Sequence, residues 1–489
     1  MNRQITRMAV VGLVLLAALV VGTTYWQAWA ASGLADRQDN SIQLVAEFSV
    51  KRGKIYAADG RTVLADNVRR KVDGRTLFFR TYPQRGLAAH IVGYSTQVRS
   101  RAGLEASEND FLTGSNTNLS TVLDTTFDKL KGATIKGNDL HLTLRAEAQR
   151  VALNALGGKC GAAVALEPRT GRVLVSVSSP TYDPNLVEGN YDLASRPKFG
   201  CPPLQNRATA GLYTPGSTFK VVTASAAIDS GDFTPSSTFN DPGYCIEYGA
   251  HVNNYDTSSP FGNVTLATAM QNSINSVFCN IGKALGGLHI VKQMKSFGFY
   301  SVPPLETPVN ERAISGLFNS KRQLVDPKEE SQIDPGRLAF GQGPETGEPQ
   351  TTPLQMAMVA AAIANGGLVM RPYVVERITA PDGTEVTKTK PNILGRAVSA
   401  KTASALTAMM ELVVSGGTGT AAQIAGISVA GKTGTAEGGV AGRNTTSFVA
   451  LAPTDNPRVA VAVFLERQSG TGGTTAAPIA KAIMEALIR

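Results

Sequence analysis

TPGSTFKVVTASAAID, Thr214–Asp229, places a serine three residues before a lysine, after a Pro-Gly turn and at the head of an apolar run. Residues i and i+3 share a helical face, so the Ser217 hydroxyl and the Lys220 ammonium meet if this stretch is helical. The small and apolar residues that follow imply a buried helix, with Pro215 and Gly216 as the turn leading in. Burial and the positive end of the helix dipole both disfavour a charged lysine, lowering its pKa toward the range where a neutral amine takes the serine's proton. A serine at a helix N-terminus also lies beside free backbone N–H groups able to hold an oxyanion. A plain reading competes, in which Ser217 caps the helix and Lys220 snorkels to water. The pattern alone is weak: SRPK, Ser195–Lys198, matches it too, although Pro197 and the missing apolar continuation exclude that copy.

Two further stretches bear on the choice. NSINSVFCNIGKALG, Asn272–Gly286, sets Ser273 and Asn275 at the junction of two helical segments, with Ser273 placed to N-cap the second. In a chemical reading Ser273 passes protons between the lysine and a leaving amine, while the Asn275 amide orients the lysine and a substrate carbonyl. S-x-N carries little alone, since SEN at Ser107–Asn109 also fits. VAGKTGTAEGG, Val429–Gly439, reads as a strand holding Lys432, Thr433, Gly434 and Thr435. Gly434 inside a strand marks a close approach by another backbone or a ligand. A ligand along this edge would add as a strand, with Lys432 and the two threonine hydroxyls facing a carboxylate; the plain alternative is a solvated edge.

At 489 residues the chain exceeds one simple core, so two or three domains are expected. Its 43% hydrophobic and 17% charged residues are those of a folded protein. The net charge of +9 comes from scattered lysines and arginines, which argues against a nucleic-acid partner and leaves attraction to acidic wall polymers or lipid headgroups open. After a basic start, Met8–Ala30 is uncharged and ends with Tyr25, Trp26 and Trp29 where an outer aromatic belt would lie. It reads as one membrane helix with a cytoplasmic N-terminus; the rival is a cleaved signal peptide, since Ala28-Trp29-Ala30 resembles a cleavage site. Both readings export the rest and permit disulfides among Cys160, Cys201, Cys245 and Cys279, whose three full pairings the sequence leaves open. Buried free thiols are the alternative, and the absence of C-x-x-C spacing disfavours a metal site.

Ser41–Val50 alternates like a strand, and Lys51–Asn67 reads as a hairpin turning at Asp59-Gly60. Gly114–Asp139 has the composition of connecting structure, which places a boundary near residue 140. Arg145–Leu156 reads as a helix, and Gly161–Glu167 and Val173–Ser178 read as strands. The far end repeats the pattern with strands at Val429–Ala436, Ser447–Ala452 and Arg458–Glu466 and a helix near Thr475–Ile488. Between them, residues 210–425 read as mostly helical. Strands from both ends of one domain, enclosing helices, predict a mixed sheet whose first and last strands are neighbours.

S-x-x-K, S-x-N and K-T-G in this order form the constellation of penicillin-interacting serine enzymes. STFK, SIN and KTGT, spaced by roughly 56 and then 159 residues, resemble a class B penicillin-binding protein, a monofunctional D,D-transpeptidase. RGKIYAADGRTVLA at Arg52–Ala65, GLE at Gly103–Glu105, Ala163–Asn185 and Phe340–Gly367 also look like segments of that family. YPQRGLAAHIVGYST, Tyr82–Thr96, is most similar to the penicillin-binding protein A branch.

The resemblance implies an α+β fold: a transpeptidase domain of β-lactamase-like type over 141–489, with a mostly antiparallel central sheet, flanking helices and a helical subdomain. It further implies a cytoplasmic tail at 1–7, an anchor at 8–30 and a small β-rich, non-catalytic domain of dimerisation or pedestal type at 31–140. By similarity Ser217 is the nucleophile toward D-Ala-D-Ala stem peptides and Lys220 its base, with Ser273, Asn275 and Lys432 completing the catalytic set. Thr433, Gly434 and Thr435 would bind substrate, with Lys432, Thr433 and Thr435 on the terminal carboxylate, and backbone N–H groups of Ser217 and Thr435 would form the oxyanion hole. No metal or organic cofactor is required, β-lactams would acylate the same serine, and the expected partners are stem peptides, the cytoplasmic membrane and a separate membrane glycan polymerase. Cys245 and Cys279 are the pair chosen as a candidate disulfide. A hydrolase (a D,D-carboxypeptidase or β-lactamase) would share all three motifs, and a silent β-lactam sensor or wall scaffold is a further alternative. The roughly 110 residues after the anchor are too few for an added glycan polymerase domain, and only about seven residues precede the anchor where a sensor would carry a signalling domain.

Overall fold

The computed structural model describes residues 2–25, 48–72, 74–115, 136–255, 259–344, 346–437 and 443–489. The chain starts with the helix Asn2–Tyr25, of which Thr6–Tyr25 is long and apolar enough to cross a membrane. Trp26, Trp29 and most of the expected strand Ser41–Val50 lie outside the described residues; Phe48 and Ser49, at its end, are helical. Most of Gly114–Asp139 lies outside them too.

Five strands build the central sheet, in the spatial order Ala430–Ala436, Asn444–Ala452, Val459–Gln468, Gly161–Leu166, Val173–Ser179. The ends of the domain do meet, with Ala460 opposite Leu166 and Leu465 opposite Gly161. Every pairing is antiparallel, where the sequence pattern suggested a mixed sheet. Short loops join consecutive strands at both ends of the chain, and a parallel pair would need a long crossover. GAAVAL shows no polar alternation because both faces of the sheet are covered. Ala162, Val164 and Leu166 pack into a core with the helix Pro353–Ala364, whereas Ala163 and Ala165 pack into a second core with the helices Ala146–Leu156 and Ala477–Ile488. Pro353–Ala364 is apolar all round and buried along nearly its whole length, with Thr352 capping it through Gln355 N.

The middle of the chain is less helical than its composition suggested. The Ala-rich stretches do form the helices Lys220–Asp229, Leu266–Asn272 and Pro353–Ala364, but short strand pairs interrupt them. Thr238–Asp241 pairs with Gly262–Thr265, and Tyr244–Glu247 pairs with Ala250–Asn253. Strands this short lack enough period-2 pattern to stand out from loops. Val375–Thr379 and Glu385–Lys388 complete a six-stranded sheet with Asp139–Leu142, Ile55–Tyr56, Val63–Val72 and Arg75–Thr81. A cut at residue 140 therefore passes through a sheet that draws strands from both sides. Beside this sheet, Glu105 is fully buried between Arg52 and Arg80, at 2.9 and 2.6 Å, which ties the arginine that opens RGKIYAADGRTVLA to the glutamate of GLE.

Candidate active site

Ser217 lies in a 3-10 turn, Gly216–Phe219, that runs into the helix Lys220–Asp229. Side chains at i and i+3 eclipse in a 3-10 turn, so Ser217 and Lys220 face one way. The turn is clamped from several sides. Gly216 adopts φ +54° and donates its N–H to Gly341 O at 3.1 Å, and a Cβ on Gly341 would sit 2.1 Å from Gly216 O. Gly341 thus answers to a close backbone approach behind the serine. Thr218 Oγ1 and Ser447 Oγ both donate to Pro215 O, at 2.8 and 3.2 Å, pinning the turn to the sheet.

Lys220 is completely buried, and its Nζ lies 2.7 Å from Ser273 O, 3.2 Å from Ser273 Oγ and 2.8 Å from Asn275 Oδ1. It makes no hydrogen bond to Ser217 Oγ. Burial, and after it the charge of Lys432, hold its pKa well below the usual lysine value. Lys432 is equally buried; its Nζ donates to Ser273 Oγ at 2.9 Å and to Thr433 O at 3.0 Å, and burial pushes its pKa down to about 7. One hydroxyl, Ser273 Oγ, thus bridges two amines whose burial loosens the hold of each on its proton.

Ser273 does not N-cap the second helix, as its position suggested. It ends the helix Leu266–Asn272 in the left-handed conformation, φ +60°, and Ile274 occupies the cap position of Asn275–Leu285 without a side-chain bond. That kink turns Ser273 Oγ and Ser273 O together toward Lys220. The Asn275 Nδ2 donates to Asn253 O at 3.0 Å, which orients the amide with its oxygen on the lysine.

Lys432, Thr433, Gly434 and Thr435 lie on Ala430–Ala436, the edge strand of the central sheet, and no described strand pairs with its outer side. Gly434 meets the chain itself and not open space: a Cβ there would lie 2.3 Å from the Ser447 Oγ side-chain atom and 2.7 Å from the Pro215 backbone O. Lys432 and the two threonine hydroxyls do not converge on one point. Strand alternation sends Lys432 to Ser273, while Thr433 Oγ1 bonds Thr418 Oγ1 at 2.6 Å and Thr435 Oγ1 accepts from Gly472 N at 3.1 Å. Thr418, Gly472, Asn253 and Gly341 escaped the sequence reading as site residues, because each acts through tertiary proximity and belongs to no local pattern. Cys245 is bonded to Cys279, joining the strand Tyr244–Glu247 to the helix that begins with Asn275; Cys160 is bonded to Cys201. A cavity of about 530 Å³ lined by Asp59, Arg145, Glu147 and Arg458 shares no residue with this network.

Residues 161–485 match the penicillin binding protein transpeptidase domain, and residues 52–140 match the penicillin binding protein A dimerisation domain. Peptidoglycan D,D-transpeptidase PbpA of Mycolicibacterium smegmatis is 34% identical across the whole chain and 99% of that protein. Among solved structures, the ceftriaxone acyl-enzyme complex of penicillin-binding protein A from M. tuberculosis superposes with a TM-score of 0.79 at 32% identity, covering 91% of this chain and all of that one. A D,D-transpeptidase domain from Eggerthella lenta gives 0.77 at 34% identity, covering 90% and 98%. With the three motifs gathered at one site and the likeness running from end to end, the chain belongs to the penicillin-binding protein transpeptidases, in their penicillin-binding protein A branch.

Proposed function

We propose that this chain is a peptidoglycan D,D-transpeptidase acting through an acyl-enzyme on Ser217. The observation that carries the reading is the buried pair Lys220 and Lys432 joined through Ser273 Oγ beside the Ser217 turn, since a neutral amine in a dry site can serve as a general base. Ser217 Oγ attacks the carbonyl carbon of the penultimate D-Ala, giving its proton to Lys220, and the oxyanion settles on the backbone N–H groups of Ser217 and Thr435. The C–N bond breaks, the proton passes through Ser273 to the departing amine, and terminal D-Ala leaves. An amine from a neighbouring stem peptide then attacks the ester carbonyl, its proton passing through Lys220 to Ser217 Oγ as the ester C–O bond breaks, which forms the cross-link and frees Ser217.

Asn275 holds Lys220 and the substrate carbonyl. Lys432, with Thr433 and Thr435, receives the terminal carboxylate; the threonine hydroxyls would exchange their present partners, Thr418 and Gly472 N, for it. The open side of the Ala430–Ala436 strand supports binding of the peptide as an added strand. β-Lactams present a strained amide in the same geometry and acylate Ser217. Arg3 and Arg7 before the apolar segment support a single-pass anchor with the catalytic part outside the cell, working with a separate membrane glycan polymerase. Incubation with stem-peptide donor and amine acceptor tests the reading: cross-linked product that Ser217→Ala abolishes is expected, and release of D-Ala by hydrolysis alone would refute transpeptidation.

A further inference from the structure

A second set of polar groups lies behind Asn275, outside all three motifs. Asp241 ends the strand Thr238–Asp241 and is 1% exposed, yet no cation pairs with it among the described residues. Four donors converge on its carboxylate instead. Ser276 Oγ and Gly243 N give to Oδ1, Phe261 N gives to Oδ2 at 3.0 Å, and Asn254 Nδ2 lies 2.9 and 3.0 Å from the two oxygens. Only an ionised carboxylate offers acceptors alone to such a set; an amide would turn a donor toward donors. A buried charge without a counter-ion is costly, and a neutral group could have closed an ordinary turn.

The donors tie three segments into one block around the asparagine of S-x-N. Asn254 Oδ1 accepts from Ser276 N at 3.0 Å, so Asn254 bridges Asp241 to the first turn of the Asn275–Leu285 helix. Asn254 N donates to Gly243 O, which fixes the adjacent Asn253 carbonyl. That carbonyl is the acceptor of Asn275 Nδ2, and Asn275 Oδ1 in turn receives Lys220 Nζ at 2.8 Å. The strand ending at Asn253 also stays tied to the helix through its pairing with Tyr244–Glu247 and the Cys245–Cys279 bond, so losing the block would loosen only the Asn253 carbonyl and let the Asn275 amide rotate, which takes one acceptor from Lys220.

We propose that Asp241 is a positioning residue for the reaction: through Asn254 and Ser276 it holds the Asn253 carbonyl against Asn275 and so fixes the amide that orients Lys220. The inference rests on Lys220 and Asn275 acting as proposed above, and the test separates the two claims. In the full-length protein, acylation by penicillin G is resolved into the first-order step k2 and the preceding binding constant for Asn275→Ala, Asp241→Asn and Ser276→Ala. Asn275→Ala should slow k2 at least tenfold. Asp241→Asn should slow it about tenfold and Ser276→Ala at least threefold, with the binding constant changing less than threefold in each. A role in folding alone would leave fewer reactive molecules that still acylate at the unaltered k2, and this result in Asp241→Asn would overturn the proposal. If Asp241→Asn does not fold, Ser276→Ala decides by the same criterion. Unaltered k2 in Asn275→Ala refutes the assignment of Asn275 itself, whereas slow Asn275→Ala beside normal Asp241→Asn and Ser276→Ala refutes only the positioning role.

Discussion

Replacing Lys432 by glutamine should move the pH dependence of acylation, and the direction of the move follows from the geometry. Lys220 and Lys432 both bond Ser273 Oγ, at 3.2 and 2.9 Å. Sharing one oxygen keeps the two nitrogens within about 6 Å of each other, where unit charges repel by roughly 3 kcal/mol at an effective dielectric constant of about 20. Burial, and after it the Lys432 charge, therefore hold the Lys220 pKa well below the usual lysine value. Two such groups titrate as a pair: the fully protonated pair has no base, the fully neutral pair has no cation for a carboxylate, and the singly protonated pair is the active form. The k2 for penicillin acylation is therefore expected to be bell-shaped in pH. Removing the positive neighbour makes Lys220 easier to protonate, so in Lys432→Gln the acid limb of k2 should shift to higher pH. Stopped-flow acylation under saturating β-lactam across pH 5 to 10 reads the limb directly, separated from the weaker binding that losing the cation also causes. An acid limb that stays within about 0.3 units of its original position would refute the coupling of the two amines.

Other consequences concern stability and packing. Glu105→Gln strands Arg52 and Arg80 in the interior and should cost about 3–5 kcal/mol, read by urea unfolding. Burial raises the Glu105 pKa but Arg80 and Arg52 outweigh it, so the folded-state value is depressed; its stabilisation is present above the unfolded carboxylate range and is lost as pH falls through the folded value, a loss Glu105→Gln should abolish. Gly341→Ala, at φ +79° with a Cβ pressed on Gly216 O, should destabilise by about 1–3 kcal/mol or more and slow acylation by displacing the Ser217 turn; unchanged labelling would count against that contact. Non-reducing peptide mapping should find Cys245 joined to Cys279, and reducing that bond, which spans 34 residues, should cost about 3–4 kcal/mol in urea unfolding.

Much of the chemistry is local and therefore legible in the chain. S-x-x-K encodes its own geometry, because three residues of helical or 3-10 backbone bring Ser217 and Lys220 to one face wherever the rest of the molecule lies. The uninterrupted apolar stretches Gly161–Leu166 and Val459–Leu465 announce burial on both faces, and the Ala-rich runs announce buried helices. Long-range assembly is another matter. That Ser273 takes a left-handed conformation and sets one hydroxyl between Lys220 and Lys432 depends on a helix end, a neighbouring helix and a sheet edge far apart in the chain. That Asp241 and Asn254 brace Asn275, or that Gly341 passes behind Gly216, depends on loops whose composition marks them as turns and nothing more. The sequence by itself determined which groups are equipped for chemistry and where the long helices and strands of the catalytic sheet lie, since those properties follow from side-chain chemistry and periods of 3.6 and 2. Only the tertiary structure decided what surrounds them: which amines are dry enough to lose a proton, and which backbone carbonyls hold Lys220 and Asn275 in place. Desolvation and hydrogen-bond direction are properties of packed neighbours, and most of those neighbours are remote in the chain.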